Sequence, residues 1–258
     1  MLLAIDSGNT NIVFAVFADD ETILGEWRSS TDTNRTADEF GIWLEQLLKL
    51  SNIERSKIKN AIIATVVPAT LFALKTLCRK YFEVEPLVVG EDNVELGLGV
   101  EIEKPNEAGA DRLVNAVAAH ETYGGPLIVI DFGTATTFDV IGENGSYQGG
   151  AIAPGINLSM EALHQAAAQL PRIAVSRPNA VIGKNTVDAM LSGTFWGYIG
   201  MIEGLVSRLK QEMGSPSVRV IATGGVAPLF SDHCDVIEVA DADLTLRGLM
   251  AIYRRNSK

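Results

Sequence analysis

The chain of 258 residues is 47% hydrophobic and 21% charged with a net charge of −11, a makeup that fits two modest globular domains better than one small core. The acidic balance argues against a general nucleic-acid or anionic-membrane surface, since both need basic patches, and no apolar run reaches the roughly 18 residues of a membrane span. Cys78 and Cys234 stand alone among residues that read as buried, so a reducing, cytoplasmic setting is expected rather than a disulfide framework.

In chain order, Leu2–Ile5 and Ile12–Phe17 read as strands around the turn SGNTN, and a third strand runs through Ile23–Arg28. The opening MLLAI is cut off by Asp6 and has no basic flank, which makes it a strand and not a signal peptide. Thr36-Ala-Asp-Glu39 has the form of a capping box, and Phe40, Trp43, Leu44, Leu47 and Leu48 then keep helical spacing. Ala61–Val66 is a buried parallel strand, a helix follows Pro68, and Pro86–Val89 is a short strand. Gly109-Ala-Asp-Arg112 opens a helix with Leu113, Val114, Val117 and Ala118 on one face.

A second round begins at Pro126–Ile130, with an Asp-x-Gly turn, a strand over Thr137–Ile141, a glycine-rich turn and another strand. Helices are predicted from Pro154-Gly155 through Leu163, from Thr186 to Met213, and from near Asp243 with Leu246, Leu249, Met250 and Tyr253. Val218–Ala222 is a strand ending in Thr-Gly-Gly. Duplicate β-rich openings followed by alternating helices and strands give an α/β arrangement, divided here into 1–115 and 116–258.

The repeat is chemical as well as architectural. LAIDSGNTNIVFAVF and VIDFGTATTFDVI share an apolar lead-in, Asp-x-Gly, and small polar residues before the next strand. One such turn would be an ordinary polar hairpin, because Asp and Gly are default turn residues. Two with matched spacing, each opening a half of similar size, point to a pair of phosphate-binding turns. Gly8 is expected to take a positive φ and complete a nest of backbone amides, with Asn9, Thr10 and Asn11 adding donors. Gly133, Thr134, Thr136 and Thr137 are expected to do the same in the second copy. Asp6 and Asp131 repel phosphate unless a hard cation lies beside them. Ala222-Thr-Gly-Gly-Val226 would let the backbone lie flat against adenosine. Two decoys fail: Pro178 stands where a P-loop ending in Gly183-Lys184 needs its first glycine, and Ile102 where Gly97-Leu-Gly99 needs its third.

Paired turns of this kind resemble those of the acetate and sugar kinase, heat-shock chaperone and actin superfamily. That likeness implies duplicated actin-like (ribonuclease H-like) domains with mixed sheets flanked by helices and a nucleotide cleft between them. DSGNTNIVFAVF, EAGADRLVNA, VIDFGTATTFDV with GGAIAPGINLSMEAL, and GKNTVDAMLSG narrow the resemblance to the type III pantothenate kinases. The resemblance implies transfer of the ATP γ-phosphoryl to the primary hydroxyl of pantothenate, the first step toward coenzyme A, with Mg²⁺ and a monovalent cation (K⁺ or NH₄⁺). It implies an ATP motif over Asp6, Ser7, Gly8, Asn9, Thr10, Asn11, Ile12 and Val13, an ATP contact at Thr134, and the catalytic residue at Asp111. Substrate contacts fall on Gly109, Ala110, Asp111, Arg112 and Thr186, and cation ligands on Asp131 and Asp6. The family's usual pocket tyrosine is replaced by Ile102.

Gly193, Gly197, Gly200 and Gly204 recur at helical spacing beside an apolar stripe of Met190, Leu191, Phe195, Ile202, Leu205 and Leu209. Such a face packs tightly, either within one subunit or between two. The resemblance implies a homodimer. The readings set against a pantothenate kinase are a non-catalytic regulator on the same fold and a kinase for another small hydroxylated acceptor.

Overall fold

The structure is a computed structural model that describes residues 1–215 and 217–257. It contains two compact units. The first is built on strands β1 (Leu2–Ser7), β2 (Asn11–Phe17), β3 (Ile23–Ser30), β4 (Asn60–Thr65) and β5 (Leu87–Val88), in the spatial order β3-β2-β1-β4-β5. β1 runs antiparallel to β2 and parallel to β4, so the sheet is mixed. Helices α1 (Ala37–Leu50) and α2 (Pro68–Phe82) cover one face, where Leu3, Ile5 and Phe14 pack with Phe40, Leu44 and Leu74. The opposite face carries Leu2, Ala4, Ala15 and Ile62, packed with Val114 and Val117 of α3 (Ala110–Tyr123). A central strand covered on both faces must be apolar at every position, which is why LLAI reads as an unbroken hydrophobic run.

The predicted capping box at the start of α1 is formed. Thr36 Oγ1 accepts from the Glu39 amide at 3.3 Å, and Glu39 Oε2 accepts from the Thr36 amide at 2.8 Å. Both predicted buried thiols are buried and free.

The second unit repeats the plan. Strands β6 (Leu127–Phe132), β7 (Ala135–Ile141), β8 (Tyr147–Pro154), β9 (Arg219–Thr223) and β10 (Val239–Ala240) lie in the order β8-β7-β6-β9-β10. β6 is antiparallel to β7 and parallel to β9, the same handing-on of directions as β1 with β2 and β4. Ile128, Ile130, Phe132 and Phe138 pack with Ile156 of α4 (Ile156–Ala166), Phe195 and Ile202 of α5 (Thr186–Glu212), and Phe230 of α6 (Ala227–Ser231). Two five-stranded mixed sheets of one topology, each flanked by helices, are duplicated actin-like domains.

The last helix, α7 (Leu244–Asn256), crosses over. The first unit takes Met1–Leu98, Glu103–Ala118 and the chain from Leu244 on, and the second takes Gly99–Ile102 and Ala119–Asp243. The changeover between the units falls inside α3, and α7 belongs with the first sheet. Leu249 and Ile252 pack against the face of β1 and β4. Gly248 lets α7 approach α3 so closely that a Cβ there would lie 2.2 Å from the Val114 carbonyl. The spacing of Leu246, Leu249 and Met250 marks an apolar face, and either sheet would suit it.

On α5 the glycine face is open. A Cβ placed on Gly193, Gly197 or Gly200 would meet no atom within 4 Å, and one on Gly204 would meet only the Arg208 side chain. Among the described residues nothing in the chain packs on this face.

Candidate active site

The first Asp-x-Gly turn is a hairpin held from three sides. β1 and β2 pair down to Ser7 and Ile12, and the Gly8 amide donates to the Asn11 carbonyl at 3.0 Å. The residue after β3, Thr31, donates its hydroxyl to the Gly8 carbonyl at 2.6 Å and its amide to the Thr10 carbonyl at 2.9 Å. Asn9, Thr10 and Asn11 are exposed, whereas Ser7 and Ile12 are fully buried, so those two can offer a ligand only backbone. Gly8 and Gly133 do not take the positive φ expected of them. What Gly8 supplies is closeness, since a Cβ there would press on the Asn11 carbonyl at 3.2 Å.

Side chains alternate along a strand, so Asp6 shares the face of Leu2 and Ala4, the face α3 covers. β1 and β4 are parallel and in register from Leu2 with Asn60 to Ser7 with Thr65, so their C-terminal ends lie at one edge. There Gly109 meets Val66, the residue after β4, with Val66 Cγ1 3.5 Å from the Cβ position. Asp111 opens α3 with its carboxylate folded back over Gly109, where any Cβ would lie 2.6 Å from Asp111 Oδ1. Asp6 and Asp111 therefore stand at the same end and on the same face of the first sheet. Burial drives the Asp111 carboxyl above its ordinary value of 3.8, while the Arg112 amide at 2.8 Å and the Arg112 charge pull it partly back.

The second turn is built differently from the first. β6 and β7 pair down to Phe132 and Thr136, leaving Gly133-Thr134-Ala135 in the turn, one residue fewer than Gly8-Asn9-Thr10-Asn11. The Gly133 amide donates to the Ala135 carbonyl at 2.9 Å. Gly155, at the N-cap of α4, donates its amide to the Thr134 carbonyl at 3.0 Å and brings no side-chain cap. The positive end of α4 is thereby placed against the turn. Tyr198 of α5 anchors this start, donating to the Pro154 carbonyl at 2.8 Å and sharing a 2.7 Å hydrogen bond with Ser159.

Two hydroxyls expected at this turn are directed elsewhere. Thr136 faces inward and is 1% exposed. Thr137 donates to Asp139 Oδ2 at 2.9 Å. Thr134 remains exposed on the turn. Asp139, fully buried and also receiving the Tyr147 hydroxyl at 3.0 Å, escaped the sequence reading because it sits in a strand pattern with no turn signal around it.

The Thr-Gly-Gly at the end of β9 packs directly on Asp131: Gly224 has φ +92° and a Cβ there would lie 2.6 Å from Asp131 Oδ1. Thr186 is exposed at the first position of α5. Its neighbour Asn185 is the cap, accepting from the Asp188 amide at 2.9 Å, so capping does not account for Thr186. Ile102 lies against Gly149 of β8, with its Cγ2 3.4 Å from the Cβ position.

Among the described residues no group of three or more His, Cys, Asp or Glu could hold a metal ion. A single carboxylate at a strand end suits Mg²⁺, which is commonly held by one or two carboxylates and completed by substrate phosphates and water. Asp6 and Asp131 are donors of that kind.

The model of the type III pantothenate kinase family matches residues 2–208. The type III pantothenate kinase of Paramagnetospirillum magneticum is 66% identical over 257 residues, covering 100% of this chain and 98% of the relative. That of Rhodospirillum rubrum is 64% identical over 256 residues, covering 99% of each. Among solved structures, the activator of the 2-hydroxyisocaproyl-CoA dehydratase from Clostridium difficile, with bound ADPNP, aligns with a TM-score of 0.55 at 13% identity, covering 99% of this chain and 95% of that one. A likeness so low in identity carries the fold alone. The paired turns, the Gly-Ala-Asp-Arg opening of α3 and the full-length match to these relatives agree: the chain belongs to the type III pantothenate kinase family.

Proposed function

We propose that the protein transfers the γ-phosphoryl group of ATP to the primary hydroxyl of pantothenate, giving 4′-phosphopantothenate for coenzyme A synthesis in the cytoplasm. The observation that carries the reading is the placement of Asp6 and Asp111 at one end and one face of the first sheet. There a phosphate-binding turn and a desolvated carboxylate serve one reaction.

Phosphoryl transfer passes through a loose transition state, so positioning and charge neutralisation matter more than a strong base. Asp111 orients the acceptor hydroxyl and takes its proton as the new O–P bond forms. Its pKa, raised by burial, improves it as a proton acceptor. Arg112 hydrogen-bonds the polar acceptor beside it, with Gly109 and Ala110 lining the approach. The amides of Gly8 to Asn11 hold phosphate oxygens in the first unit. In the second, the turn of Gly133 and Thr134 does so with the start of α4. Thr186 is a further acceptor contact. Asp6 holds Mg²⁺ and Asp131 a monovalent cation, and when bound these ions offset phosphate charge. The open glycine face of α5 is the surface on which a second copy packs to form a homodimer.

The test is direct. Purified protein with ATP, Mg²⁺, K⁺ and pantothenate should release ADP and yield a product heavier by one phosphoryl group. Pantothenate left unmodified at every concentration would overturn the reading. ADP release with another hydroxylated acceptor but not with pantothenate would move the assignment to that acceptor.

A further inference from the structure

We propose that Thr70 is a positioning residue for the first phosphate turn, fixing Ser7 and with it the Asp6 carboxylate against the segment that carries Asp111. The proposal rests on the kinase reading of this site.

Ser7 is fully buried and Thr70 is 1% exposed, and their hydroxyl oxygens are 2.8 Å apart. A hydroxyl has one proton to give. Thr70 gives its proton to the Val67 carbonyl at 2.9 Å, so Ser7 is the donor toward Thr70. With that donation made, the bonds run from Ser7 to Thr70 to Val67, and the Thr65 hydroxyl lies 3.4 Å from that of Thr70. Thr65 closes the group, donating to the same Val67 carbonyl at 3.1 Å and accepting the Val67 amide at 3.0 Å. The backbone follows the same route, because the Val66 amide donates to the Ser7 carbonyl at 3.1 Å.

Ser7 is thus tied through main chain and side chain to the connection between β4 and α2. Val66 in that connection is the residue that supports Gly109 beneath the Asp111 carboxylate. One short segment therefore holds the turn on one side and the catalytic aspartate on the other.

The second unit does without this device. The residue in the place of Ser7 is Phe132, which stacks on Phe230 with ring centroids 4.9 Å apart. An apolar pair would serve packing as well, since a buried hydrogen-bonded pair adds little net stability over an apolar one of the same shape. What the hydroxyl pair adds is direction.

Three variants test this by steady-state kinetics, thermal unfolding and calorimetric binding of a non-hydrolysable ATP analogue. Thr70→Val should raise the KM for ATP and the analogue Kd about tenfold and lower the melting temperature, because the Ser7 hydroxyl is left without its acceptor. Thr70→Ser should bring both constants back to within about twofold of wild type, as the lone hydroxyl is what acts. The double variant S7A/T70V removes the orphaned group and should regain thermal stability while keeping the weakened nucleotide binding. Wild-type nucleotide binding in Thr70→Val, failure of Thr70→Ser to restore it, or recovery of binding together with stability in the double variant would each overturn the proposal. Analogue binding is read without turnover, so an enzyme inactive toward pantothenate would fail the kinase reading and leave this test intact.

Discussion

Gly224 lies under the carboxylate of Asp131, with room for a hydrogen and nothing more: a Cβ would sit 2.6 Å from Asp131 Oδ1 and 2.6 Å from the Phe132 carbonyl. The end of β9 and the second Asp-x-Gly turn are therefore one construction. Gly224→Ala must displace the carboxylate or the strand end, and it also places a side chain at φ +92°, a strain of about 1–3 kcal/mol. Its expected signature is a lowered melting temperature together with at least tenfold weaker nucleotide binding by calorimetry, since 1.4 kcal/mol is about a factor of ten. Unchanged binding would detach the Thr-Gly-Gly segment from the nucleotide.

Asp111→Asn separates chemistry from binding. Turnover should be lost while ATP-analogue affinity changes by less than about threefold, as expected for a residue that acts on the acceptor hydroxyl. The stability effect has a definite sign. The folded-state pKa is raised above 3.8, so the folded protein holds this proton more tightly than the unfolded chain. Stability is full below 3.8 and falls as pH climbs through the raised value. Above that raised value the buried charge is a cost that Asn removes, so the variant should melt higher than wild type there. The difference should vanish in acid. By the same shift, the acidic limb of the wild-type rate profile should lie above 3.8.

Cation dependence should divide between the two turns. Chelation of divalent ions should abolish turnover and added Mg²⁺ should restore it. Asp131→Asn should raise the K⁺ concentration for half-activation at least about tenfold, through loss of a hard-cation ligand. The KM for pantothenate should stay within about twofold of wild type, because Asp131 is not assigned to the acceptor. An equal effect of Asp131→Asn on K⁺ and pantothenate would remove it as a cation ligand.

The open face of α5 makes two opposite predictions for substitutions at one position. Gly197 has no atom near its Cβ position, so Gly197→Ala should stabilise an isolated subunit by about 1 kcal/mol through helix propensity. In an interface that needs close backbone approach, Gly197→Leu should shift the protein from dimer to monomer, as read by light scattering on a sizing column. A dimer that survives Gly197→Leu places the subunit contact elsewhere.

Much of this was legible in the sequence because it depends on local rules. Thr36 and Glu39 cap α1 as written, and the apolar runs of β1 and β6 follow from sheets buried on both faces. The paired Asp-x-Gly phrases marked the two turns. What stayed hidden depends on long-range register. Ser7 pairing with Ile12 and Phe132 with Thr136 make the turns unequal by one residue, and the matched phrases conceal this. The same register turns Thr136 into the core and leaves Thr137 with Asp139. The Ser7–Thr70 bond joins residues 63 positions apart, and no spacing rule announces it. Roles for Asp111 and Thr186 were expected from the resemblance of the sequence motifs to the family. The structure adds that Asn185 is the cap and that Gly109 is needed beneath Asp111.

The crossing of α7 into the first unit has a consequence for how the protein is made. The second unit is a continuous stretch apart from Gly99–Ile102, and every residue of it precedes Leu244. A ribosome working from the N-terminus therefore completes the later unit first. The earlier one waits with the face of Leu2, Ala4 and Ile62 covered only by the start of α3 until Leu249 and Ile252 emerge. Nascent chains stalled before Leu244 should resist protease across the second unit and be cut within the first.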